Sequence, residues 1–329
     1  MVIPYHPPGG TIDRKDEYNP AAGAVFSVKV FYSDHLLVPL PAGHRFPMPK
    51  YARLHQCVAE ASLPGVDLTA SAPASDEQLL RIHDAGYLKR FLSGELTERE
   101  MRRIGFPWSP ELVLRSRYAA GGTIDACRAA LSDGLAVNLA GGTHHAYPDH
   151  GEGYCVFNDV AVATRAMQAE RQAVRVVILD CDVHQGNGTA VIFANDQAVF
   201  TFSVHGAKNF PFHKEHSDLD IALPDGSADE AFLEAVSAGV TRSVDLAQAD
   251  LAIYIAGADP FVGDRLGRLA MTKAGLAERD RWVLDHCCQR GLPVAVVMGG
   301  GYARQVEDVV DIHLQTVRLS AQFASKRIA

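Results

Sequence analysis

The sequence predicts an α/β protein: one domain built on a central, mostly parallel β-sheet with helices on both faces. Three observations predict it. Short apolar runs such as Val176-Val177-Ile178-Leu179 and Val294-Ala295-Val296-Val297 read as strands buried on both faces. Segments of helical spacing alternate with these runs, as in a parallel sheet covered on both sides. Polar, chemistry-bearing residues follow directly after the strands, and the carboxyl ends of parallel strands are where such sheets place their ligands.

The elements follow in order. Residues 1 to about 25 are rich in Pro, Gly and charge and read as a poorly ordered extension, so the domain is expected over residues 26–329. Val28–Tyr32 is a first strand, and Tyr51–Ser62 and Asp76–Leu92 carry helical spacing. Pro110 suits the first turn of a helix that runs to about Leu131. Leu135–Leu139 is a strand that ends in Gly141-Gly142-Thr143-His144-His145, and a helix starts near Asn158 with Asn158-Asp159 as its cap. Val174–Leu179 is a strand that empties into Asp180-Cys181-Asp182-Val183-His184-Gln185-Gly186-Asn187-Gly188. Val199–Val204 is a strand, followed by a Phe/Pro loop over Asn209–Phe212 and a long helix from Asp229 to Leu246. Leu251–Ile255 is a strand ending at Asp259, Thr272–Gln289 a helix, Val294–Val297 a strand ending in Gly299-Gly300-Gly301-Tyr302, and Val306–Ala321 the last helix.

Composition narrows the function. The chain has 329 residues, 47% hydrophobic and 21% charged, with a net charge of −8 and no long basic run. That argues against direct nucleic-acid binding and leaves basic substrates open, since an acidic surface would attract a lysine-bearing peptide. No apolar run approaches the length of a membrane span, and the first residues lack a signal-peptide layout. The six cysteines show no C-x-x-C spacing and read as reduced core residues, which points to the cytoplasm. Oligomeric state is not legible.

Asp182 and His184, two residues apart, can both turn toward one ion; an ordinary capped loop would use the same residue types. The register of the rest decides between them. His144-His145, the Asp180–His184 group, His205, Asp259 and Tyr302 all follow strand ends, which lie along one edge of a parallel sheet. Asp182, His184 and Asp259 would balance a divalent ion and leave positions open, as catalytic zinc sites do. Such an ion polarises a carbonyl and lowers the pKa of bound water from ~16 toward ~7. The histidine pair offers a proton acceptor, Asp180 and Asn187 are available to fix its tautomers, and Tyr302 offers a hydroxyl to an oxyanion. Together these groups spell amide hydrolysis.

At these residues the sequence resembles the zinc-dependent histone deacetylase family, within the arginase-deacetylase superfamily. The matching stretches are Gly141–Ala146, Gly153-Tyr154-Cys155-Val156-Phe157-Asn158-Asp159, Asp180–Gly188, Gly257-Ala258-Asp259 with Gly263-Asp264-Arg265-Leu266-Gly267, and Gly299–Tyr302. The His-Gln-Gly-Asn-Gly variant and the compact length look most like its class IV-type, bacterial-like branch. The resemblance implies the arginase-deacetylase fold and deacylation of the lysine side chain of peptides or proteins. It implies Asp182, His184 and Asp259 as zinc ligands and His145 as general base and acid. His144, oriented by Asp180, is implied as its electrostatic partner, and Tyr302 as the oxyanion donor. Gly153, Tyr154, Phe210 and Leu266 are implied along a narrow substrate tunnel, with Tyr154 and Phe210 as its facing aromatics. A structural potassium ion is implied at Asp180, Asp182, His184, Ser203 and Val204.

Three departures from the family pattern carry expectations. Asn187 stands where class I members have Asp, which should leave the His145 imidazole less basic. Tyr154 replaces the usual Phe. Thr143 is smaller than the residue several members carry there, and could open space for an acyl group longer than acetyl. The alternative substrate is a small acylated amine such as an acetylpolyamine, although Leu266 stands where polyamine-selective relatives place a Glu, seven residues after the last zinc Asp. A catalytically silent binding module is the alternative from another class, and the retained ligand set and Tyr302 argue against it.

Overall fold

A computed structural model describes residues 27–34 and 37–326; the extension expected over residues 1–25 lies outside them. The described residues form eight strands, β1 (Val28–Tyr32), β2 (Val66–Ala70), β3 (Leu135–Asn138), β4 (Val176–Asp180), β5 (Val199–Gly206), β6 (Leu219–Leu223), β7 (Leu251–Ile255) and β8 (Val294–Val297). They form one sheet in the order β2-β1-β3-β8-β7-β4-β5-β6, with every neighbouring pair parallel. The four central strands β3, β8, β7 and β4 are fully buried, which is why their sequences are apolar runs, broken only at the carboxyl ends of β3 and β4 by Asn138 and Asp180.

Among the described residues ten helices cover the faces: α1 (Lys50–Ala61), α2 (Asp76–Leu80), α3 (Ala85–Ser93), α4 (Glu98–Ile104), α5 (Pro110–Asp133), α6 (Asp159–Ala169), α7 (Asn187–Phe193), α8 (Asp229–Ala247), α9 (Lys273–Gln289) and α10 (Val306–Lys326). One apolar core packs α1, α8, α9 and α10 against the sheet, and a second packs α3, α5 and α6 on the other face. Each buried strand thus feeds side chains alternately into the two cores. Among the described residues no helix is long and apolar enough to cross a membrane, and all six cysteines are free.

The structure departs from the sequence expectations at a few places. The helix expected over Asp76–Leu92 is two helices, because Asp84 caps a new one by accepting from the Tyr87 N–H. The edge strands β2 and β6 and the short helices α4 and α7 were not anticipated. An edge strand is half exposed and interleaves polar residues, as Val66-Asp67-Leu68 and Leu219-Asp220-Ile221 do, so it lacks the continuous apolar signature. Helix α7 starts inside Asn187-Gly188, where glycine reads as a turn and no side chain caps the helix.

The break between α2 and α3 turns His83 into the interior. Its Nε2 accepts from the Asn158 N–H at 3.0 Å, and its Nδ1 donates to the Tyr147 carbonyl at 3.1 Å. Burial pushes its pKa down to about 4, against the pull of the backbone carbonyls of Pro148 and Tyr147. A histidine whose pKa is lowered on folding stabilises the protein above its unfolded value of about 6.5 and loses that contribution as pH falls toward 4. Wild type should therefore lose roughly 3 kcal/mol of stability from this group between pH 7 and 4. Urea midpoints of wild type and His83→Asn across that range test it; the variant should start lower and show a flatter pH dependence. Equal slopes would contradict the assignment.

Candidate active site

The chemistry-bearing residues gather at the carboxyl edge of the four central strands. His144 and His145 follow β3, the Asp180–His184 group closes β4, Asp259 follows β7, and Tyr302 follows β8. The glycines beside them make room. A side-chain carbon on Gly300 would overlap Oδ2 of Asp259, and one on Gly142 would strike the backbone of Gly299. Gly142 also has φ of +72°, which non-glycine residues adopt at a cost.

Asp182, His184 and Asp259 are buried, and each offers an atom within 4.8 Å of those of the other two. The Gly300 N–H donates to Oδ2 of Asp182 at 2.6 Å and the Val183 N–H to Oδ1 of Asp259 at 2.9 Å. These bonds turn Oδ1 of Asp182 and Oδ2 of Asp259 toward Nδ1 of His184, at 3.0 and 3.1 Å. Burial and the Asp182 charge push Asp259 up to about 7. Burial works against charge on His184, but Asp259 and Asp182 outweigh it and hold its imidazole up at about 10. Two desolvated carboxylates sharing one imidazole are under strain that a divalent cation relieves, and the donor set of one nitrogen and two carboxylates fits such an ion.

The histidine pair is differentiated by its partners. Nδ1 of His144 donates to Oδ2 of Asp180 at 2.6 Å; burial opposes its charge, yet Asp180 and Asp182 hold it up at about 9. Nδ1 of His145 donates to Oδ1 of Asn187 at 2.6 Å, which leaves Nε2 with its lone pair. Burial, then the charges of His144 and His184, push the His145 pKa well below its ordinary value. Asn187 in turn donates to the Tyr147 hydroxyl at 3.2 Å, and that hydroxyl donates to Glu215 at 3.1 Å. An Asn187→Asp substitution adds a negative charge beside His145 and should move the acid limb of the kcat/KM profile up by about 1–2 pH units. An unmoved limb would remove His145 from the proton-accepting role.

Tyr302 is held by its backbone: its N–H donates to Asp264 at 2.6 Å and its carbonyl accepts from Arg265 Nε at 3.0 Å. Its ring lies 6.3 Å from that of His184 and 5.8 Å from that of Tyr154. Burial, then Asp259 and Asp182, push its phenol well above the ordinary range, so it remains a donor. Above the cluster opens a cleft of about 770 Å³ lined by Gly153, Tyr154, Phe210, Leu266, His145 and Tyr302 among others. Phe210 meets the His145 ring edge-on at 4.9 Å. Below it, beside Thr143, the free space is only about 30 Å³. The Thr143 hydroxyl is tied down, 2.6 Å from both the Phe157 carbonyl and Asp159.

Residues 44–317 match the histone deacetylase domain. The chain belongs to the histone deacetylase family. It is 45% identical over 285 residues to an uncharacterised protein of Picosynechococcus, covering 86% of this chain and 95% of that one. It is 29% identical over 282 residues to the histone deacetylase-like amidohydrolase of Pseudomonas aeruginosa, covering 80% and 74% of the two chains. The crystal structure of the HDA15 HD domain has the same fold, with a TM-score of 0.75 and 21% identity over 92% of this chain and 94% of that one. Membership makes this protein a hydrolase of a family that cleaves acylated amines. The expected α/β fold, with its parallel sheet, is the observed one.

Two buried residues that hold the site escaped the sequence reading. Asn158 does cap α6, but its neighbour Asp159 reaches back to the loop before the histidine pair, accepting from the N–H groups of Gly142 at 3.0 Å and Thr143 at 2.6 Å. An acid directly ahead of the apolar turn Val160-Ala161-Val162-Ala163 was the available signal. Arg279, fully buried on α9 and paired with Asp280 at 2.8 Å, donates to the Gly257 carbonyl at 2.5 Å and so braces the loop that carries Asp259. An arginine at a core-facing position of a helix was the signal there.

Proposed function

We propose that this protein is a zinc-dependent deacylase that removes acetyl groups from the lysine side chain of peptides or proteins. The observation that carries the reading is a three-donor cluster beside a neutral histidine with a free Nε2. Asp182, His184 and Asp259 would hold the ion, which when bound polarises the acyl carbonyl and acidifies water. His145 accepts the proton at Nε2 and returns it to the leaving amine, with Asn187 keeping the opposite nitrogen protonated. His144, held cationic by Asp180, lowers the potential cost of negative charge nearby. Tyr302 donates its hydroxyl to the carbonyl oxygen as charge develops there. Tyr154 and Phe210 line the cleft through which the apolar lysine stem passes, and aromatic walls suit methylenes.

The main-chain oxygens of Asp182 and His184 accept no hydrogen bond among the described residues, and strand pairing sets Asp180 beside Ser203. Free carbonyls next to a buried serine support the expected potassium site at Asp180, Asp182, His184, Ser203 and Val204.

The small space at Thr143 favours a short acyl group over the longer chains that residue size alone allowed. A panel of acetyl-, lactyl- and octanoyl-lysine peptides with acetylated polyamines tests both choices. Acetyl-lysine peptide should turn over at least about tenfold faster than the octanoyl peptide, since a chain that does not fit forfeits its packing contacts. Octanoyl preference would overturn the acyl assignment, and turnover of polyamines alone would overturn the peptide assignment.

A further inference from the structure

The charge at the mouth of the cleft opposes that of the whole chain. The protein carries a net charge of −8, yet among the described residues the cleft is lined by Arg102, Arg103, Lys208, Arg265 and Arg268 against one carboxylate, that of Glu152. These cations come from three separate segments: the last turn of α4, the loop between β5 and β6, and the loop between β7 and α9. No one segment's local needs therefore account for the set. Arg102 and Arg103 do suit the carboxyl end of a helix, but Lys208 and Arg268 have no such reason to be there.

Neutralisation is incomplete. Arg102 meets Glu98 at 3.1 Å, Arg103 meets Glu152 at 3.1 Å and Arg268 meets Asp225 at 3.6 Å. Among the described residues, Lys208 and Arg265 have no carboxylate within ion-pair distance. Arg265 is anchored instead by two carbonyls, those of Tyr302 at 3.0 Å and Arg45 at 2.8 Å, so its charge is held at the rim. Arg45 is itself exposed, and its charge and that of Arg265 both reach the Tyr154 hydroxyl on the tunnel wall. A concave mouth lined by one sign of charge focuses its potential and raises the local concentration of oppositely charged ligands.

We propose that the acyl-lysine this enzyme selects lies in an acidic peptide segment, whose carboxylates meet the cationic rim formed by Lys208, Arg265 and Arg268. The inference rests on the lysine deacylase reading and reverses the sequence expectation that the net negative charge would draw basic peptides. It also disfavours acetylated polyamines, whose remaining amines are cations, in agreement with Leu266 offering no carboxylate at the rim.

Three acetyl-lysine peptides of equal length test it, flanked by Asp and Glu, by Ser and Gly, or by Lys and Arg. The acidic peptide should exceed the basic one in kcat/KM by about tenfold or more at low salt, mainly through KM, and the gap should close as salt rises to about 0.5 M. The double charge reversal Lys208→Glu with Arg268→Glu should invert the acidic-to-basic ratio. Turnover of the neutral peptide with no dependence on flanking charge, or with a salt-independent preference, overturns this inference alone. A ratio unmoved by the double reversal overturns it as well. Absence of turnover with all three peptides overturns the lysine reading and this inference together.

Discussion

Tyr302→Phe should lower kcat on an acetyl-lysine peptide by about 10²–10³-fold, the usual loss when one oxyanion donor is removed. The change deletes one hydroxyl from a ring that stays packed among Tyr154, Phe46 and His184. The backbone bonds that fix its position, to Asp264 and Arg265, do not involve the side chain and survive. KM should change little, because a donor aimed at developing charge contributes mostly in the transition state. Bound metal should stay at the wild-type level. A variant that keeps wild-type kcat would exclude Tyr302 from the reaction, and one that loses its metal would make it a structural residue.

His184→Ala should have the larger effect. It removes the one nitrogen donor and leaves Asp182 and Asp259, two buried carboxylates, facing each other across the gap. Metal content should fall far below one ion per chain. Turnover should fall by at least about 10³-fold, since the ion's share of transition-state stabilisation is several kcal/mol. Metal analysis and peptide turnover on the same sample check both parts. Retention of the ion with full activity would move the metal site elsewhere.

The central strands and the residues at their ends were legible in the sequence for one physical reason. A strand buried on both faces stays apolar until its carboxyl end, so a sudden Asp180-Cys181-Asp182-Val183-His184 marks both the strand's end and the place where polar groups have work to do. Asp259 and Tyr302 obey the same logic after β7 and β8. The elements that escaped obey no such rule. Strand β6 is half exposed, and its Asp220 serves Gln185 and Ser217 rather than a core. Asp159 was hidden behind its neighbour Asn158, because one cap explains an Asn-Asp pair and the acid ahead of an apolar turn was the one local sign of a second task. The cationic mouth was invisible because its members lie far apart along the chain, from Arg102 through Lys208 to Arg268, and only the topology brings them together. Net charge counts the whole surface and carries no information about where a cleft opens.

The asymmetry of the histidine pair ties these findings to function. His144 and His145 are adjacent, with ring centroids 4.2 Å apart, yet one faces a carboxylate and the other an amide. Adjacent groups pushed to opposite protonation states are how one site holds both a fixed positive charge and a free base. The same pairing explains why Asn187 suffices where a carboxylate would make His145 more basic.

The most direct test of the account is a zinc titration of the chelated protein, with acetate release from an acetyl-lysine peptide measured at each step. The account predicts turnover that rises in proportion to bound zinc and breaks at one ion per chain. Turnover that is unchanged by chelation, or none at all once one ion is bound, would contradict it.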